Sequence, residues 1–596
     1  MNSDRRLNND EKLLHIQSWL RSRSDPPIAQ AGRCTEICET PTVPTKVRPA
    51  RLLKLSSESQ VRLLECFQPS PEQISARGSF PVYTALSHRW GASQHFTTRA
   101  NTKSLLEDGI SSDQLPQTFR DAIILTRRLG YEYIWIDALC IIQDDPTDWL
   151  RESEKMGDVY TDAICTIAVH CAADDSEGFL AKTLSKRHAI DLCMDDIDER
   201  EISICRAPNP NTDVTNSALS RRGWVLQERF MSTRTLHCTH GQVYLEDQYG
   251  ITCEDNSLRS TPRMQKDLAE LYQVEYLLSP SALPKLRRYF GSEPSSSGLD
   301  FGDCKQTDDE FSDTSIEWLY LVEMYSHCDL THETDKLVAL SGMARKISAR
   351  SGRAWCAGIW QDHLCAGLLW LSTKDGLGLP TNPRAPSWSW ASWDGPVQYP
   401  LALKELDGVN FQSSCEFISL RSATTPEEVS WLNGMGSLTL RGRLIPLRDV
   451  FFDEFVQLTP NRLKQRGNNT SSEGLPHVAL KNYVNVRIVR ESDVYPFGQV
   501  GWLAKDSKTS SDDYLKLSSI GRFLIAGIRP DSGSKSPDRS YDGIVFGVFL
   551  IPSEAEDQAY KRVGAGVMSF SHSVSAGKAR RDNMFDDKFW ATLTIV

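Results

Sequence analysis

The stretch YEYIWIDALCIIQDDPTDWLRESEKMGDVYTDAICTIAVHC, residues 131–171, decides the fold. Its two ends, YIWIDALCII and ICTIAVHC, are near-continuous apolar runs, as expected of strands covered on both faces. Between them TDWLRESEKMGDVYTDA (147–163) is amphipathic, with Trp149, Met156 and Tyr160 on one side and Thr147 placed to cap its start. Asp137, Asp144, Asp145, Asp148, Glu152, Glu154 and Asp158 fall in the same segment. Either these acids solvate a helix and its entry loop, or one of them does chemistry beside the end of a sheet.

The neighbouring segments extend the pattern. PVYTALSHRWG (81–91) reads as a strand that ends in a polar mouth. LPQTFRDAIILTRRLG (115–130) carries Leu115, Phe119, Ala122, Ile123, Thr126 and Leu129 on one helical face, with Pro116 in the first turn and Gly130 at the end. Strand, helix, strand, helix, strand at this spacing predicts a parallel α/β sheet. LSRRGWVLQERFMSTRTLHCTHGQVYLED (219–247) continues with a helix and then a strand or hairpin.

Composition sets the outer limits. A chain of 596 residues exceeds a single core, so several domains are expected. Residues 1–50 form a polar, partly disordered segment with one short helix around EKLLHIQSWLRS. An α/β domain covers 51–290, with its core at 81–247. A polar, helical-looking stretch runs to about 290, and a loop or linker follows at 291–313. A helical, tryptophan-rich region, 314–430, is expected to pack on the α/β domain. Residues 431–596 form a β-rich domain whose loops QRGNNTSSEG and RPDSGSKSPDRS are expected to be exposed. The net charge of −11 gives no electrostatic reason to bind nucleic acid. The fifteen cysteines include no Cys-x2-Cys pair, no apolar run approaches 18 residues, and the first twenty residues lack a signal-like apolar core. A reduced, cytoplasmic protein without a membrane span is expected.

Taken together, YTALSHRWG (83–91), LPQTFRDAI (115–123), YIWIDALCIIQDDPTDWLRESEKMGDVYTDA (133–163) and RRGWVLQERFMSTRTL (221–236) resemble the fungal heterokaryon-incompatibility (HET) domain family. DKLVALSGMA (335–344), AGIW (357–360), LLW (368–370) and APSWSWASWDG (385–395) resemble the region that follows it in many full-length members. His88 departs from the pattern, since members often have an aromatic residue there. The resemblance implies a role in self/non-self recognition and programmed cell death. Some members instead lie among secondary-metabolite genes. No GxxxxGK[ST] motif is present, so an NTPase module is not expected.

The HET core is also similar in pattern to Toll/interleukin-receptor (TIR) domains, flavodoxin-like parallel sheets, some of which hydrolyse the nicotinamide–ribose bond of NAD. That similarity implies a catalytic glutamate on a helix after a central strand, which DWLRE supplies as Glu152, three residues after Trp149. Asp137 stands as the supporting carboxylate and Glu228 as the second catalytic glutamate. Ser87, His88, Arg89, Trp90, Gln143, Trp149 and Arg222 are candidate ligand-binding residues near the strand ends. A carboxylate there stabilises an oxocarbenium-like ribose or positions water. NAD would be a substrate, and no cofactor or metal is expected: HCTH (237–240) and SHCDLTHE (326–333) lack a full ligand set. Cys140 reads as inert packing or as a nucleophile beside His88. Asp137, within an apolar run, is structural or catalytic. Three functions stay open: a nucleotide-cleaving effector, a non-enzymatic scaffold that self-associates or binds a protein partner, and a metabolite-pathway enzyme using the same strand-end pocket.

Overall fold

The structure is a computed structural model that describes residues 9–22, 48–57, 59–66, 80–91, 96–184, 189–193, 201–205, 208–247, 250–254, 309–372, 384–399, 412–422, 436–447, 450–453, 483–488, 498–505, 516–517, 520–530, 543–554, 556–570 and 589–596. The expected polar stretch up to residue 290, most of the expected linker at 291–313 and the loop QRGNNTSSEG lie outside the described residues. The chain divides into two compact units, Met1–Gly298 with Val338–Met343, and Leu299–Leu337 with Ala344–Val596.

The first unit contains α1 (Asn9–Ser22), β1 (Arg51–Lys54), β2 (Gln60–Glu65), β3 (Thr84–Ser87), α2 (Lys103–Asp108), β4 (Ile110–Ser111), α3 (Gln117–Arg128), β5 (Tyr133–Trp135), α4 (Asp137–Cys140) and α5 (Pro146–Asp162). It continues with β6 (Cys165–Val169), α6 (Leu180–Leu184), β7 (Ala189–Cys193), β8 (Glu201–Cys205), α7 (Gly223–Met231), β9 (Thr235–Cys238), β10 (Val243–Asp247) and β11 (Gly250–Cys253). Among the described residues nine strands form one sheet in the order β11-β10-β9-β6-β3-β5-β1-β2-β4. Only its centre is parallel: β3 pairs in parallel with β5 and β6, and β6 with β9. Both flanks are antiparallel, so the sheet is mixed where the spacing predicts a parallel one. The helical crossovers 115–130 and 147–163 enforce parallel pairing only in the middle. The edge strands β1–β2 and β9–β11 return through short turns, which permit only antiparallel neighbours.

The helices follow the sequence pattern closely. α3 buries Phe119, Ala122, Ile123, Leu125 and Thr126. α5 starts with Pro146 in its first turn, and Asp145 rather than Thr147 is its cap, accepting from the amides of Thr147 and Asp148. The run YIWIDALCII departs from expectation. Its strand is three residues long, and Asp137–Cys140 forms a helical turn closed by the Cys140 amide on the Ile136 carbonyl at 2.7 Å. Ala138, Leu139 and Cys140 are still buried, and a short apolar run suits a buried turn as well as a strand. Asp137 therefore sits just beyond the carboxyl end of β5 and not inside the sheet.

In the second unit, α8 (Asp309–Ser326), α9 (Asp335–Ser351, whose Val338–Met343 belong to the first unit) and α10 (Leu364–Gly367) accompany the short strands β12 (Trp355–Cys356), β13 (Ile359–Trp360), β14 (Leu371–Ser372) and β15 (Val397–Gln398). The expected β-rich region follows as β16 (Gln412–Ser413), β17 (Cys415–Ser422), β18 (Gly436–Pro446), β19 (Val450–Asp453), β20 (Tyr483–Ile488), β21 (Gly498–Lys505), β22 (Arg522–Pro530), β23 (Gly543–Pro552), β24 (Ala559–Phe570) and β25 (Trp590–Ile595). Pairings β22–β18–β25–β24–β23–β22 close on themselves, which removes the open edges of those five strands. The Trp-rich stretch is architectural. Trp388, Trp390 and Trp393 are buried, and the Trp390 indole donates to the Gly358 carbonyl at 3.0 Å. Arg562 lies 3.5 Å over the Trp370 ring and donates to the Trp370 carbonyl at 2.5 Å.

One glycine fixes the entrance to the parallel sheet. Gly91, four residues past β3, has φ +83°, and a Cβ there would lie 2.2 Å from the Cβ of Asp174, in the loop after β6. That loop is held in turn by α3, whose Thr118 amide donates to the Asp175 carbonyl at 2.9 Å. Gly91→Ala is expected to destabilise the protein by about 1–3 kcal/mol through combined strain and overlap. Chemical denaturation checks this, and an unchanged midpoint would show that the loops yield freely.

Candidate functional site

Four strands define the site. In space the parallel strands run β5, β3, β6, β9, so the chain leaves β3 toward one side and β6 toward the other. In open α/β sheets ligands collect outside the carboxyl ends at such a reversal, here beyond Ser87 and Val169. One register row crosses the sheet there: Ser87 pairs with Ala168, Ala168 with His237, and His237 with Tyr244. Paired residues share a face, and Ala168 packs there with Leu219 and with Val225 of α7.

Three elements converge on the mouth of β3. From α4, just beyond β5, Asp137 accepts the Trp90 indole N–H at 2.8 Å and caps its own turn through the Ala138 amide at 2.8 Å. The His88 Nδ1 lies 3.7 Å from the Asp137 Oδ1. From α7, the Arg222 guanidinium donates to the His88 carbonyl. From α5, the Tyr160 hydroxyl donates to the Leu86 carbonyl at 3.0 Å. The strand end is thereby tied on both sides and from above.

Glu228 lies within this frame and is only 5% exposed. Its Oε2 and the Ser87 hydroxyl oxygen are buried without a hydrogen bond of good geometry. Burial pushes the Glu228 carboxyl up to about 7, and the Asp137 carboxylate adds to the rise. Arg222, the Ser87 hydroxyl and the Tyr160 phenol act in the opposite direction without cancelling it. The phenol of Tyr160 is itself raised well above its usual value, by burial first and then by Glu228 and Asp137. A carboxyl poised near neutrality beside a partly exposed carboxylate can act as acid or base near pH 7.

Other candidates have different surroundings. Glu152 is 1% exposed on α5, and its carboxylate accepts from the Ala50 amide at 3.0 Å, Lys155 Nζ at 2.9 Å and Arg151 Nε at 3.3 Å. Beside it Arg51 and Asp148 form a buried ion pair, and burial, opposed by Arg51 and the Ile142 amide, leaves the Asp148 carboxyl below its usual range. Glu152 thus belongs to an ionic cluster against the start of β1, with both oxygens engaged. Trp149 meets Trp224 edge to face at 6.3 Å. Gln143 spans its own loop, donating to the carbonyls of Asp137 at 3.0 Å and Ile141 at 3.3 Å. Arg89 acts on the exposed Asp174, whose carboxyl is lowered first by the Ser176 hydroxyl and amide. Burial drives the Cys140 thiol up to about 12, which suits packing and not nucleophilic attack. Among the described residues no group of three His, Cys, Asp or Glu side chains has the arrangement of a metal site.

Tyr160 was legible only as a core position. The signal for more was a tyrosine in a buried stripe, where the hydroxyl must find a partner.

Two outcomes follow for stability. Moving a carboxyl from 4.5 to about 7 corresponds to about 3 kcal/mol. Because the raised value belongs to the folded state, this contribution is full below about 4.5 and is lost as pH rises through about 7. Glu228→Gln is expected to flatten the fall in stability between pH 5 and 8, measured as urea midpoints against pH. Glu152→Gln is expected to lose about 1–3 kcal/mol of stability, because it leaves buried donors poorly matched. Urea midpoints at pH 7 check that loss, and an unchanged value would free Glu152 from a structural role.

Residues 83–228 match the family model described as Heterokaryon incompatibility protein (HET), an interval that runs from the start of β3 to Glu228. No curated protein and no solved structure matches the chain. No helix among the described residues is long and apolar enough to cross a membrane. Residues 83–228 of this chain are a heterokaryon-incompatibility domain.

Proposed function

We propose that the protein is a HET-domain effector of self/non-self recognition and cell-death signalling that cleaves NAD or a related nucleotide at the mouth of β3. The observation that carries this reading is Glu228, a buried carboxyl poised near pH 7 beside Ser87 and Asp137 at the reversal point of the sheet. The order β5-β3-β6-β9 of the parallel strands is the one a TIR- or flavodoxin-like sheet would have.

In this reading the C1′–N bond of the nicotinamide riboside breaks, and its electron pair leaves with nicotinamide, which becomes neutral. Water adds to C1′ and gives its proton to the ionised Glu228. Asp137 faces the positive charge that develops on the ribose, and the Ser87 hydroxyl orients water or a ribose hydroxyl. Glu152 supports the fold beneath the site, a change from the assignment that the TIR resemblance implies.

A second reading is a non-enzymatic scaffold that works by self-association or by binding a protein partner. The complete engagement of Glu152 favours it, because the residue that the resemblance marks as catalytic is occupied structurally. A metabolite-pathway enzyme would use the Glu228 site for another small molecule.

Nicotinamide release from NAD by the full chain tests the proposal over a range of protein concentrations. The expected rate rises with pH through about 7 as Glu228 ionises. It falls by at least about 100-fold in Glu228→Gln, while Glu152→Gln at equal folded concentration retains turnover. No release by folded protein would favour the scaffold. Loss in Glu152→Gln alone would return catalysis to Glu152.

A further inference from the structure

A second polar array lies on the same face of the sheet, one strand further along. Arg229 of α7 grips Glu246 of β10 with two hydrogen bonds, Nε to Oε2 at 2.7 Å and Nη2 to Oε1 at 3.1 Å. His237 of β9, fully buried, places its Nε2 2.8 Å from the Glu246 Oε2. Its Nδ1 lies 2.9 Å from the Nε2 of His170, the residue just beyond β6. The Nδ1 of His170 lies 2.7 Å from the hydroxyl oxygen of Ser217, in the turn before α7.

The ion pair fixes the first proton of this hydrogen-bonded line. Paired with Arg229, Glu246 is a carboxylate and only accepts, so His237 carries its proton on Nε2. With a single proton on the His237 ring, its Nδ1 accepts and His170 donates from Nε2. Burial of the His170 ring, and then His237 and Arg229, lower its proton affinity, so His170 rests neutral and takes a second proton only during the reaction. In that tautomer the His170 Nδ1 accepts at 2.7 Å from the Ser217 hydroxyl, whose other acceptor in reach is the Ser220 hydroxyl oxygen at 3.4 Å. The Ser220 amide donates to the same Ser217 oxygen at 3.2 Å, which holds the hydroxyl in place.

We infer that Ser217 is a nucleophile, with His170 as its base and His237 and Glu246 as positioning residues, and that it takes acyl groups from esters or thioesters. A hydroxyl that gives its proton to an imidazole whose far nitrogen is oriented by a further acceptor is the arrangement nucleophilic catalysis requires. The Ser217 Oγ attacks the acyl carbon, and its proton passes to His170 Nδ1. The bond from the acyl carbon to the leaving group breaks, and that proton goes to the leaving oxygen or sulfur. Water then cleaves the seryl ester, releasing the acid and restoring Ser217. Ser217 is partly exposed, whereas Glu246 is buried, so reagents reach the array at its serine end. The arrangement is separate from the Glu228 site, although adjacent residues of α7 serve the two.

A fluorophosphonate probe on the full chain is the test. Its phosphorus forms a bond to Ser217 Oγ, fluoride leaves, and the hydroxyl proton passes through His170 to solvent. Peptide mass spectrometry is expected to find one label, on Ser217, and none in Ser217→Ala. His170→Gln keeps a donor toward His237 but removes the base, so the labelling rate is expected to fall at least about 100-fold while thermal unfolding stays close to that of the parent. Label spread over Ser220 and other serines, no label on folded protein, or an unchanged rate in folded His170→Gln would each overturn the inference. Should His170→Gln fail to fold, the location of the label on the parent chain still decides.

Discussion

The mouth of β3 is pulled from two directions, by Asp137 through the Trp90 indole and by Arg222 through the His88 carbonyl. The rest of the domain depends on this tether. It fixes where α7 begins, and so where Glu228 and Arg229 fall one after the other. Glu228 comes to rest over Ser87 and Arg229 reaches Glu246, so one nine-residue helix contributes a charged group to each polar array. Removing either tether would free the loop that carries His88 to Gly91, and with it the close approach of Gly91 to Asp174.

Burial acts differently on the acids of this domain. Burial lifts Glu228 toward neutrality, whereas the equally buried Glu152 has cations and an amide at hydrogen-bonding distance. Two glutamates on neighbouring helices thus differ in role because of partners, not depth. The pairing of Glu246 with Arg229 and His237 is a third case, in which a buried carboxylate orders a line of imidazole protons. Each arrangement follows from the rule that a buried charge must be paired or lost.

Much of the sheet was legible in the sequence. The helical stripe from Leu115 to Leu129 and the apolar runs at 81–91 and 164–171 predict α3, β3 and β6 within a few residues. Periodicity does not separate a buried strand from a buried turn, which is why Asp137–Cys140 reads as strand. The sheet edges were hidden because β1 finds its partner β5 about eighty residues away, with no local signal. The setting of Glu152 was hidden for the same reason: its partner Ala50 lies 102 residues upstream. Pattern placed Glu152 on the right helix but could not say what it faces. His170 and His237, 67 residues apart, join only because β6 and β9 are parallel neighbours.

On the proposed reading, Glu228 stays protonated in the folded domain until about neutral pH. Infrared difference spectroscopy against Glu228→Gln reads this directly, as the carbonyl stretch of a buried, protonated carboxyl. A band absent from the variant is expected, disappearing with a midpoint at about 7. A midpoint close to 4.5, or no difference band, would show an ordinary carboxylate at the mouth of β3 and would contradict it.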